Sequence, residues 1–149
     1  MEMDFDVNEL LKAVENDNNE SIMSNSFEKI EDDKLRVLLD ELKLDKTKTQ
    51  DFMERLIEYM YIDDIREIKY GAYIRWISLK NPENIKLANG GFICDIKKNK
   101  SENDIIIFCK NRMNIVFQLK MSETFIFQKL TKQEKTILNA VKLVKSVSK

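Results

Sequence analysis

Two thiols, three groups of carboxylates and a set of cations set among aromatic rings are the side chains of this chain that could do chemistry. The thiols are Cys94 and Cys109. If Phe92–Ile96 and Ile105–Cys109 are strands joined by a hairpin centred on Ser101-Glu102, the register sets Cys94 opposite Cys109 and Ile96 opposite Ile107. Facing thiols act as small core hydrophobes in a reducing compartment, or as a cross-strand redox switch. The carboxylates are Asp63-Asp64, Asp32-Asp33 and Glu31. Metal-assisted phosphoryl transfer uses paired carboxylates, but it needs them to converge from separate positions. These are sequence neighbours at expected helix ends with no third ligand, which reads as a solvated helix terminus. The chain has no histidine. That removes the commonest general base, the usual triads and most zinc sites. No phosphate-cradling glycine loop, zinc ligand set or nucleophile motif occurs either. The sequence therefore assigns no catalytic residue, no cofactor and no metal, and the expectation is a protein that is not an enzyme.

The cations are more informative. Arg75 lies among Tyr70, Tyr73 and Trp76; Lys110 and Arg112 follow Phe108; Lys97, Lys98 and Lys100 form the densest cluster. Single-strand-binding barrels stack bases on such rings and track phosphates with Lys and Arg. The same alternation equally builds a core, so both readings stay open. Charge is also split along the chain. Residues 1–64 hold 19 acids and 8 bases, and residues 65–149 hold 7 acids and 17 bases, although the net charge is only −1. Either the two parts attract each other across their junction, or the basic part faces nucleic acid or an acidic protein.

These residues must be positioned by elements. Phe5, Val7, Leu10, Leu11 and Val14 have helical spacing, and Asn16–Ser21 reads as a polar, flexible break. Phe27, Ile30, Leu35, Leu38, Leu39 and Leu42 predict a helix over 26–44. Phe52, Met53, Leu56, Ile57, Met60 and Tyr61 predict another over 49–62, capped by Thr47 or Thr49. From Ile65 the apolar period becomes two. Strands are expected over 65–79, at Phe92–Ile96 with Phe92, Cys94 and Ile96 inward, at Ile105–Cys109, at Ile115–Leu119 and around Phe125–Phe127. Thr131-Lys-Gln-Glu134 has capping-box spacing and opens a terminal helix with Ile137, Leu138, Val141, Val144 and Val147 on one stripe.

All three glycines and the only proline, namely Gly71, Pro82, Gly90 and Gly91, fall in one window that also holds the sole tryptophan, Trp76. Gly71 is expected to bend a long first strand. Pro82 and Gly90-Gly91 are expected to turn the chain, with Trp76 packed beneath them. The fold class is α+β: N-terminal helices, then a small antiparallel five-stranded β-barrel or sheet of SH3, Sm or OB type, closed by a C-terminal helix. The expected divisions are a flexible or docking segment over 1–20, an acidic helical hairpin over 21–64 and a basic β part with its helix over 65–149. No apolar run is long enough to span a bilayer. The acidic start lacks the features of a secretory signal, so the expected setting is cytoplasm, nucleus or a particle assembled there.

The segment Gly71-Ala-Tyr-Ile-Arg-Trp-Ile77, followed by Leu87-Ala-Asn-Gly-Gly-Phe-Ile93 and a strand ending near Phe125-Ile-Phe127, resembles small proteins of nucleocytoplasmic large DNA viruses. Heavy use of Ile, Lys and Asn, a sign of AT-rich coding, agrees with such a source. The resemblance covers about 60 residues and implies a virion or virus-factory component, such as a minor capsid or core protein; it brings no catalytic residues. The leading expectation is a structural protein acting by protein–protein contacts or self-association. The alternative is a small-barrel nucleic-acid binder using Arg75, Lys97, Lys98, Lys100, Lys110 and Arg112.

Overall fold

A computed structural model of the chain describes residues 6–147. Phe5, expected on the first helix, lies outside them, as do the first four residues of the acidic start. The described residues belong to two compact units. One combines the chain through Asp32 with the chain from Leu130 onward; the other is Asp33–Lys129. Neither boundary falls at residue 20 or residue 64. Residues 1–32 and 130–149 together hold 11 acids and 7 bases, and residues 33–129 hold 15 and 18. The split along the sequence is thus largely evened out within each unit.

In the first unit, helix α1 (Val7–Glu15) starts where Asp6 Oδ1 accepts the N–H groups of Asn8 and Glu9 at 2.9 and 3.3 Å. The polar run after it, expected as a flexible break, is instead a 3-10 helix over Asp17–Ile22. Its order comes from side-chain amides together with fully buried Ile22 at its end. Asn19 is buried, and its Nδ2 donates to Ala13 O at 2.9 Å and to Gln133 Oε1 at 3.0 Å. Gln133 sits on helix α4 (Lys132–Val147), which opens with the expected capping box: Glu134 Oε1 accepts Thr131 N–H at 2.9 Å, and Thr131 Oγ1 accepts Glu134 N–H at 3.1 Å. Lys132 of basic α4 pairs with Glu9 of acidic α1 at 3.5 Å. Helix α2 (Phe27–Leu35) begins in this unit, with Ser26 Oγ accepting Lys29 N–H at 3.1 Å.

In the second unit, a π-type stretch, Arg36–Glu41, continues α2, and helix α3 (Lys46–Arg55) follows with Asp45, not a threonine, as its cap. The expected helix over 49–62 stops at Arg55. Tyr59–Ile62 is strand β1, paired antiparallel with the strand over Thr124–Lys129, β6. The apolar residues from Phe52 to Tyr61 fit a helical period, but Tyr59-Met60-Tyr61-Ile62 also alternates and is rich in strand formers. Ile57, on the expected helical stripe, is exposed. Lys34 is fully buried, and its Nζ donates to Leu56 O at 2.8 Å, satisfying a carbonyl at the end of α3.

The other strands are β2 (Tyr73–Ser78), β3 (Gly91–Asn99), β4 (Asp104–Lys110) and β5 (Val116–Lys120). Among the described residues six strands, not five, form one antiparallel sheet in the order β1-β6-β2-β3-β4-β5. The sheet is open: β1 and β5 are its edges. It nevertheless curls. Trp76 on β2 and Phe117 on β5 lie three strand positions apart, roughly 14 Å in a flat sheet, yet their ring centroids are 5.7 Å apart. Trp76 thus packs on Phe117. On the opposite face, Ile77 and Phe127 form a core with Val37, Leu38, Phe52 and Leu56, plugged by Ile85 and Leu87 from the Pro82 loop. That core covers only the β1-β6-β2 half.

Gly71 does not bend a strand. It has φ +79° in a turn before β2, and its N–H donates to Ile93 O at 2.8 Å. Pro82 lies in a turn closed by Asn84 N–H on Asn81 O at 3.1 Å, and Gly91 is the first residue of β3. Gly90 has φ +116°, and a Cβ there would lie 2.6 Å from Ile74 O and 2.7 Å from the Tyr73 ring. Only glycine fits this turn.

Candidate functional site

The half of the sheet left uncovered carries the candidate surface. Pairing fixes which side chains share its open face: Tyr73 opposite Phe92, Phe92 opposite Lys110, and Lys110 opposite Val116. A bulge at Cys94 then re-aims β3, so that Asp95 faces Phe108 and Lys97 faces Ile106. The bulge overturns the expected cysteine pair. Cys109 lies opposite Ile93, not Cys94, although Ile96 does face Ile107. Cys94 is exposed with its Sγ donating to Phe108 O at 3.3 Å, while Cys109 is buried and both are free thiols. Burial, with Cys94 nearby, pushes the Cys109 thiol up to about 11. Of the expected inward set only Ile96 keeps its face: Phe92 is 50% exposed, Cys94 is exposed and Ile93 is buried instead.

The open face is aromatic and basic. Tyr73 and Phe92 meet edge to face at 5.0 Å, and Tyr73 is held by its hydroxyl donating to Asn89 O at 2.9 Å. Lys97 Nζ stands 5.4 Å from the Phe108 ring centre and 3.8 Å from Asp95. Of the six expected contact residues, Lys97, Lys110 and Arg75 share this face of the sheet, and only Lys97 and Lys110 are not held by backbone carbonyls there. Lys98 alternates to the other face. Lys100 and Arg112 lie in the turns at opposite ends of β4. Arg75 is a structural tie: its Nε donates to Ala88 O at 2.9 Å and its Nη1 to Arg55 O at 3.2 Å. Burial, followed by the nearby Arg55 cation, lowers its pKa.

The second feature is the edge strand β5, whose role the alternation of Ile115, Phe117 and Leu119 did not reveal. Asn111 N–H donates to Ile115 O at 3.1 Å. Continuing that antiparallel alternation along the register, Phe117 and Leu119 direct their backbone groups to β4. Val116, Gln118 and Lys120 direct theirs outward, where no strand pairs with them among the described residues. Apolar side chains crowd this edge: Met113 is 76% exposed, Val116 50% and Phe117 37%, with Ile115 beside them. Its one cation, Lys120, is held by Glu102 at 2.9 Å, which raises its pKa. Natural sheets blunt such edges with free charge, proline or a cover; β5 has no proline and its lysine is already paired.

The paired acids have local roles. Asp64 caps a 3-10 turn over Ile65–Glu67 and binds Arg66 at 2.6 Å, which lowers its pKa to about 2. Asp33 lies 3.8 Å from Arg36. Among the described residues no three His, Cys, Asp or Glu side chains converge as a metal-binding group, and no helix is long and apolar enough to cross a membrane. No protein-family model, curated protein or solved structure matches the chain.

Proposed function

We propose that the protein acts by protein–protein contact without chemistry of its own, and that strand β5 makes the contact. The observation that carries this reading is the outward row of Val116, Gln118 and Lys120 backbone groups beside exposed Met113, Ile115, Val116 and Phe117. Main-chain groups of an open edge give affinity to an added strand, and the side chains give selectivity. A virion or virus factory is the setting that the sequence resemblance implies. The test is affinity capture with the wild type beside Gln118→Pro. The N–H of residue 118 points away from β4, so proline removes an edge donor and spares the β4 ladder. Proteins retained by the wild type and lost with a folded Gln118→Pro support the reading; equal retention by both refutes it.

A second reading rests on a different observation, the Tyr73–Phe92 pair flanked by Lys97 and Lys110. It makes the open face a single-stranded nucleic-acid platform. Base stacking on an aromatic ring is worth ~1–3 kcal/mol, so Phe92→Ala should weaken binding by about tenfold or more. Affinity should fall linearly in log salt. No binding to DNA or RNA oligonucleotides at low salt removes this reading.

A further inference from the structure

We infer that the occupant of the β5 edge is the β5 edge of a second copy of this chain, the two sheets joining across a two-fold axis at Gln118. The inference rests on the proposed contact role of β5 and names its partner. The outward backbone groups belong to Val116, Gln118 and Lys120. An antiparallel copy centred on Gln118 sets Gln118 opposite itself and Val116 opposite Lys120, so every outward group meets an outward group, for up to about six hydrogen bonds. A centre on Phe117 or Leu119 would pair only two of the three outward residues with outward partners, for about four hydrogen bonds, and a centre between two residues would set inward groups against outward ones and form no ladder.

The side chains suit the same register. Gln118 meets Gln118, and a carboxamide is its own complement because it both donates and accepts. Lys120 faces Val116, so like charges do not oppose, and its ammonium is already held by Glu102 at 2.9 Å. On the other face, Phe117 of each copy lies opposite Leu119 of its mate, which covers the exposed flank of Phe117. An edge meant for an acidic or basic peptide would present complementary charge along its length; this one presents a single neutralised lysine. An isologous pairing of this kind closes at two copies.

The test is light scattering on the full chain, with register read by cysteine cross-linking in a Cys94→Ser background. Facing residues of a hydrogen-bonded antiparallel pair have Cα atoms ~5.5 Å apart, within the ~4.4–6.8 Å that a disulfide spans. Gln118→Cys should therefore cross-link to itself with oxidised glutathione, and Val116→Cys, facing Lys120, should not. The wild type should show twice the chain mass. Gln118→Pro should show the single mass with an unchanged circular dichroism spectrum. A wild type that stays monomeric at its highest soluble concentration, a larger open assembly, or equal cross-linking at 116 and 118 overturns the inference. If the wild type is monomeric yet loses a different captured protein on Gln118→Pro, self-pairing fails and the contact role of β5 survives. If Gln118→Pro changes neither mass nor capture, both fail.

Discussion

Gly90→Ala should destabilise the sheet several times more than Gly71→Ala, although both glycines have positive φ. At Gly71 a Cβ meets nothing within 4 Å, so the cost is backbone strain alone. Strain of ~1–2 kcal/mol, offset by roughly 0.5 kcal/mol of lost unfolded-state entropy, leaves about 1 kcal/mol. At Gly90 φ is +116° and the new Cβ would lie 2.6 Å from Ile74 O and 2.7 Å from Tyr73 Cε1. Strain there is ~2–3 kcal/mol. Moving the Tyr73 ring also breaks its hydroxyl bond to Asn89 O, a further ~1 kcal/mol, and the Ile74 carbonyl must shift, for a total of about 4 kcal/mol. Urea titration followed by Trp76, the only tryptophan, reports on this unit. With a slope of ~2 kcal/mol/M, the midpoint should fall by about 2 M for Gly90→Ala and about 0.5 M for Gly71→Ala. Equal shifts for the two variants would refute the close approach of β2 to the Gly90 turn, and with it the fixed placement of Tyr73 against Phe92.

Three further outcomes are expected. In the native protein a thiol reagent should modify Cys94 quickly and leave Cys109 unreacted until denaturation, since Cys109 is buried and held near 11; mass spectrometry counts the labels. Lys34→Met should lower stability by ~1–3 kcal/mol in chemical denaturation, because the Leu56 carbonyl loses its buried donor. The carboxyl of Asp64 should titrate by NMR at about 2 rather than its ordinary 3.8. Its folded-state value is depressed, so the stabilisation from its bonds to Arg66 is present above pH ~4 and lost as pH falls toward 2; Arg66→Ala should raise the midpoint only part of the way to 3.8, because the N–H of residue 66 still donates to Asp64 Oδ1.

Much of the architecture was legible where one local rule acted alone. The Thr131–Glu134 box opens α4 as its spacing predicts, and the Ile96–Ile107 register follows from a hairpin over Ser101-Glu102. Reading failed where two rules gave the same pattern. Met60 and Tyr61 continue a helical stripe from Phe52 and also alternate as a strand, and only the distant partner β6 decides between them. The Asn16–Ser21 run lacks apolar residues, and bonds from Asn16 and Asn19 to Gln133, far away in sequence, help order it beside buried Ile22. The Cys94 bulge shifts the faces of β3 by one position, and no residue type nearby announces it. The candidate surface was half legible: Lys97 and Lys110 were among the expected contacts, whereas Arg75 is consumed by two carbonyls. The β5 edge was hidden because alternation identifies a strand but not its neighbours. Its exposure follows from β6 returning to lie between β1 and β2.

Amide hydrogen exchange along β5 tests the contact role of that strand most directly. In dilute protein, Phe117 and Leu119 should exchange slowly and Val116, Gln118 and Lys120 fast, because only the former donate to β4. When the edge is engaged, at high concentration or with a captured protein, the three outward amides should slow markedly while the other two change little. Outward amides that stay fast under every condition in which the protein is bound would contradict the account.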